Sequence, residues 1–209
     1  MARAPRRHRF RGTIAGLGSG SGVRVVVGWW QESPYGAFAD VMLAQADGTR
    51  RLLAPTEEIG AFVAATYRFD VVEVVPVSVA RSGPAVSVEA GELDLTYDIG
   101  RRTALGRALR FVPERIATSP AWCLVTDPVA RVTMQGVRTR GSARGERRET
   151  YGATDHHAIE SVRGTWRGRD LGALATVLPE PGFGFGSTPP RPSVTTLVTT
   201  VLDARPGSA

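Results

Sequence analysis

Apolar positions fall mostly in short strand-like runs separated by turn residues, with unbroken alternation over Glu92–Ile99. An apolar run at Val23–Val27 leads into Trp29 and Trp30, and two further strand-like runs, Ala37–Ala46 and Arg50–Ala54, flank Asp47-Gly48. This pattern predicts a three-stranded antiparallel meander. A two-residue turn at Asp47-Gly48 would set Leu43 opposite Leu52, Met42 opposite Leu53 and Val41 opposite Ala54. Both faces of that hairpin would then be apolar, as expected of a sheet that lines a core on one face and is covered on the other.

His8–Leu17 reads as an earlier strand, joined to the meander by the glycine-rich Gly16–Gly22. The glycine spacing does not complete G-x-G-x-x-G and no helix follows, so this is a strand-to-strand loop. Thr56, followed by Glu57 and Glu58, caps a predicted helix over 56–67, with Ile59, Phe62, Val63 and Tyr67 at helical spacing. Phe69–Ala80 is a β-branched strand that Pro76 marks as an edge or a bulge. Glu92–Ile99 alternates without a break, Leu93, Leu95, Tyr97 and Ile99 inward and Glu92, Asp94, Thr96 and Asp98 outward. From Arg102 the period turns helical, and Pro113, Ser119-Pro120 and Asp127-Pro128 punctuate a helical insert at about 101–134. Ser193–Leu202, rich in valine and threonine, is a last strand before a tail at 203–209.

These elements predict a single domain over 1–209 of mainly β, α+β class. Its expected form is an antiparallel β-barrel or strongly curved sheet, with one short helix and the helical insert. Residues 1–7 form a basic arm. A chain of 209 residues, 42% of them apolar, is long enough to bury one sizeable core.

Composition narrows the chemistry. All 26 basic residues are arginine, and the sequence holds neither lysine nor asparagine. Both are encoded by AT-rich codons, which points to a GC-rich bacterial genome. It also weakens any reading of the +6 net charge as a nucleic-acid surface. Schiff-base and pyridoxal enzymes, Walker-A hydrolases and protein kinases all need a lysine amine and are excluded. The single cysteine, Cys123, sits among Trp122, Leu124 and Val125 as a core thiol, and no run approaches a membrane span. A soluble cytoplasmic protein is expected.

Several short motifs bear on function. Asp155-His156-His157 resembles the signature of the DHH phosphoesterases, but no D-x-D accompanies it, and adjacent histidines on a strand face opposite ways. No metal site and no cofactor are expected. Gly164-Thr165-Trp166 resembles the G-x-W pattern of lipocalin-like barrels, and Gly164–Gly168 extends the likeness to nitrobindin-type barrels, which implies a closed barrel. Gln135–Glu149 forms an Arg/Gly-rich loop with five arginines against two glutamates.

Three functional readings remain open. The leading one is a barrel that binds a small, largely apolar molecule, with Trp29, Trp30, Tyr35, Trp166, Phe183 and Phe185 as lining. A second is a cofactor-independent isomerase, hydratase or lyase using Asp40 or Glu32 with Tyr35 or His156. The third, less favoured for want of an interleaved aromatic, is nucleic-acid association through Arg138, Arg140, Arg144, Arg147 and Arg148.

Overall fold

The structure is a computed structural model that describes residues 7–119, 122, 140–142, 148–184 and 188–202. The first half runs β1 (Arg7–Ser19), β2 (Arg24–Glu32), β3 (Phe38–Ala44), β4 (Arg50–Ala54), α1 (Glu57–Ala64), β5 (Val71–Val74), β6 (Val77–Ser82), β7 (Ala85–Ala90) and β8 (Leu93–Arg102). Two short helices, α2 (Ala104–Leu109) and α3 (Glu114–Ala117), precede β9 (Arg140–Ser142), β10 (Arg148–Trp166), β11 (Arg169–Asp170), β12 (Leu174–Ala175) and β13 (Ser193–Leu202).

The strands form one sheet in the order β5-β4-β3-β2-β1-β13-β10-β8-β7-β6, almost wholly antiparallel, which curls into a half-barrel. The mainly β, curved-sheet expectation therefore holds. The two ends of the sheet, β5 and β6, are joined directly through Val75-Pro76, so the strand read as Phe69–Ala80 divides there. Proline lacks the N–H that a continuous ladder would need.

The inner face of the curl brings Val25, Val41 and Leu53 against Val88 and Leu95 in one core, which Tyr97 and Trp166 complete. Trp166 is only 6% exposed and donates its Nε1–H to Gln45 Oε1 at 2.9 Å, so it is a core residue and no part of a cavity wall. Alternation on β8 follows the sequence pattern, with Leu93, Leu95 and Tyr97 buried and Asp94 exposed.

Over β1–β4 and β13 the outer face is apolar too, whereas over β7 and β8 it carries exposed polar side chains such as Ser87, Glu89 and Asp94. On the apolar part Leu52 and Ala54 pack under Ile59 and Val63 of α1, whose N-cap Thr56 Oγ1 accepts the Ile59 N–H. Val26 and Ala44 lie beneath Phe183 in the segment before β13.

The β3–β4 hairpin departs from its expected register. Leu43 pairs with Arg51, Met42 with Leu52 and Val41 with Leu53, because the loop has three residues, closed by Gln45 N–H to Thr49 O at 2.9 Å. Gly48 takes φ +87° and Asp47 Oδ1 accepts from Thr49 N–H, the arrangement of a turn followed by a left-handed residue. One extra residue exchanges the faces of Leu52 and Leu53, and both stay buried because both faces are covered.

The helical insert begins later than 101, since β8 runs through Arg102, and α2 and α3 are its described helices; the starts at Pro120 and Pro128, and Cys123, lie outside the described residues. Of the 135–149 loop, residues 140–142 and 148–149 are strand. No described helix is long and apolar enough to cross a membrane.

Leu95 is fully buried and Asp94 beside it exposed, so Leu95→Ala should lower the unfolding free energy by about 3 kcal/mol. Asp94→Ala should move it by less than about 0.5 kcal/mol. Urea titration of the two variants checks this inner-face core.

Candidate functional site

The outer face and its cover do not meet everywhere. Between them lie a cavity of about 160 Å³ and a neighbouring one of about 60 Å³, which share Ile14, Val26, Met42, Tyr67 and Tyr151 as wall. Their floor includes one cross-strand row: Asp40 pairs with Gly28, Gly28 with Ile14, Ile14 with Thr195, and Thr195 with His156. Residues directly opposite in an antiparallel ladder share a face. Asp40 and His156 thus stand on the same side of the sheet, separated by four inter-strand steps of about 4.8 Å, an arc of roughly 19 Å.

Asp40 belongs to the smaller cavity and is 2% exposed. Its place depends on Gly28, since a Cβ there would crowd Asp40 Oδ1 and Trp30 Nε1. With no side chain in the way, the carboxyl receives the Trp30 Nε1–H at 3.0 Å. That bond favours the ionised form, but burial outweighs it and raises the pKa to about 7.

Beside it, Tyr67 and Tyr151 both donate to Glu149 Oε2, at 3.0 and 2.9 Å, with their own hydroxyls 2.5 Å apart. Burial first, then the nearby Glu149 charge, pushes both phenols well above their ordinary pKa.

His156 stands in the larger cavity because β10 carries a bulge. The register with β13 shifts between Ala153 and Asp155, so Thr154 is an extra residue. Without it Asp155 and His157 would take the cavity-facing places. Thr103, the N-cap of α2, receives the Gly106 N–H and holds His156 Nδ1 at 2.8 Å. His156 Nε2 is buried with no hydrogen-bond partner among the described residues. Burial, reinforced by His157, lowers the His156 pKa and keeps the ring neutral.

His157 faces away, with Nδ1 at 3.0 Å from Gly100 O, and Asp155 is taken by a two-pronged bond from Arg102 at 2.8 and 2.9 Å. No group of three metal-ligating side chains occurs among the described residues.

Of the residues singled out in the sequence, Trp30, Asp40, His156 and Phe183 line the two cavities. Tyr35 packs on Phe10 and Phe62, whose rings line the smaller cavity, and is not itself wall. Trp29 is half-buried away from both. Glu32 is exposed, 3.8 Å from Arg11. Phe185, Arg138, Arg144 and Arg147 lie outside the described residues, and Arg140 and Arg148 fall on β9 and β10.

Tyr67, Glu149, Tyr151 and Thr199 were not singled out. Glu149-x-Tyr151 has the spacing of two residues on one strand face, but the arginine-rich composition around it reads as a loop.

No protein-family model matches the chain, and no curated protein sequence does. Among solved structures the chain is similar to an acetoacetate decarboxylase from Legionella pneumophila, at 7% identity and a TM-score of 0.43, covering 96% of this chain and 86% of that one.

Burial of Asp40 makes stability depend on pH with a definite sign. The unfolded carboxyl loses its proton near 3.8 and the folded one near 7, so the folded state holds the extra proton between them. Asp40's contribution is fully present below about 4 and is lost as pH rises through about 7, a change of roughly 4 kcal/mol. Asp40→Asn keeps an acceptor for Trp30 and removes the titration. The unfolding free energy of the wild type minus that of Asp40→Asn, from urea titrations between pH 4 and 8, should fall as pH rises. A difference independent of pH would contradict the burial described. His156, whose depressed pKa acts in the opposite sense, is common to both proteins and cancels.

Proposed function

We propose that the protein binds a small, mostly apolar molecule between the outer face of the half-barrel and its cover. The observation that carries this reading is where unsatisfied polarity falls. Buried side-chain polar atoms are normally paired. Of the six buried atoms without a partner among the described residues, His156 Nε2, Thr188 Oγ1 and Ser193 Oγ line the larger cavity and Thr199 Oγ1 the smaller. An apolar chamber with a few converging unsatisfied groups is the usual form of a small-molecule site.

Size limits the ligand. A protein cavity of about 150 Å³ accommodates benzene, so about 160 Å³ suits a body of one ring or a short branched chain. Haem and long-chain fatty acids are too large for that volume.

The proton-transfer reading keeps a base in Asp40, whose pKa of about 7 suits that role. It would also need a donor for the oxygen on which charge develops. In the smaller cavity both tyrosine hydroxyls already donate to Glu149, so binding is the better-supported reading.

Thermal unfolding in the presence of toluene, benzyl alcohol or cyclohexanone should shift upward with ligand concentration. Hexadecanoate and haem should leave it unmoved. Ala153→Phe, which fills the larger cavity from β10, should abolish the shift. No shift with any compound of this size would refute the proposal.

A further inference from the structure

We infer that the smaller cavity seats an ammonium group, and that the molecule bound across the two cavities is a small apolar amine. This rests on the small-molecule reading above and gives its ligand a charge.

The smaller cavity is built from acceptors and aromatic rings. Asp40 and Glu149 are 2% and 1% exposed and both line it. Around them stand the rings of Phe10, Trp30, Phe38 and Phe62. Among the described residues no arginine or histidine contributes to that wall, and the chain has no lysine. Among the described residues Asp40 receives a single side-chain hydrogen bond, from an uncharged indole. An ionised carboxylate so placed lacks the opposite charge that burial normally demands.

Donors in the cavity are already engaged, Trp30 N–H with Asp40 and the two tyrosine hydroxyls with Glu149. Among the described residues, Thr199 Oγ1, 4% exposed, is the one side-chain polar atom there without a partner, and it can accept an N–H. A carboxylate or phosphate ligand would meet like charge, and above neutral pH a neutral one would leave the ionised Asp40 without a counter-charge. An ammonium group supplies the missing charge, donates to Asp40, and is attracted by the surrounding rings.

The larger cavity gives the hydrocarbon its place. Ile14, Val26 and Met42 continue from one chamber into the other, and Leu197 and Phe183 extend the apolar wall. A cation at Asp40 therefore leaves a ring-sized body lying towards His156, which is neutral.

Binding of this kind is linked to protonation, because the cation needs Asp40 ionised. The titratable groups facing Asp40 are Glu149 and Tyr151 from β10 and Tyr67 from the segment after α1, with His8 of β1 stacked on Phe62 at 5.5 Å. Both phenols stay protonated well beyond neutrality. With Asp40 titrating at about 7, affinity for an amine that is charged throughout should rise on the order of thirty-fold from pH 5.5 to pH 8.

Calorimetric titration of the full chain with benzylamine, benzyl alcohol and benzoate tests this. At pH 8 the wild type should bind benzylamine at least ten-fold more tightly than benzyl alcohol and benzoate least. It should lose most of that preference at pH 5.5. Asp40→Asn should bind the amine and the alcohol alike at either pH. Benzyl alcohol bound as tightly as benzylamine at pH 8, or an amine preference that survives at pH 5.5, would overturn the amine assignment and leave the small-molecule site standing. If none of the three binds, the small-molecule reading falls and this one with it. The wild-type pH series decides the matter even if Asp40→Asn does not fold.

Discussion

Strands β2–β4 are apolar on both faces and must be covered on both, and this constraint shapes the rest of the molecule. The inner face is covered by curling, so that β2–β4 meet β7 and β8 across one core. Among the described residues no second sheet meets the outer face. It is covered piecemeal by α1, by α2 and by the segment carrying Phe183. Covers assembled from short pieces cannot reach the packing density of a continuous layer, and the gaps they leave are the two cavities. The candidate site is in this sense a by-product of how the second face is closed.

Within those gaps, polar groups are held in place by small backbone devices. Gly28 lets the Asp40 carboxyl lie back towards Trp30, and the extra residue at Thr154 turns His156 to the same side of the sheet. Thr103 then performs two tasks, capping α2 and holding the His156 ring. Each arrangement keeps a costly group buried where plain packing would have used a hydrocarbon. A buried carboxylate and an unpartnered imidazole nitrogen both oppose stability. Their presence along the walls of a cavity is what gives that cavity a functional reading.

Much of the fold is legible in the sequence because period-two alternation survives wherever one face is more polar than the other. β8, with leucines inward and acids outward, is the example, whereas β13 is legible from its valine and threonine content and is buried on both faces. The Thr56 cap announces α1 for a local reason, a hydroxyl meeting the Ile59 N–H. Register is less legible. The Asp47-Gly48 pair signals a turn but does not distinguish two residues from three, and when both faces are apolar no misplaced side chain exposes the error. The site was half legible: Asp40 stood out as a charge within an apolar strand, Trp30 as one of an aromatic pair at a strand end, and Phe183 as a ring between two glycines. Tyr67, Glu149 and Tyr151 did not, because each comes from an element whose neighbours suggest something else, and only the curl brings them together. Trp166 looked like a cavity residue because it completes a G-x-W pattern, yet its strand presents it to the inner core.

The account turns on a carboxyl group that burial keeps protonated until neutral pH in an aromatic chamber. The most direct test is to follow the Asp40 side-chain carboxyl carbon by NMR across a pH titration of the ligand-free protein. An inflection near 7 is expected. An inflection near 4, the range of a solvated aspartate, would show the carboxyl to be hydrated or ion-paired and would contradict the site described.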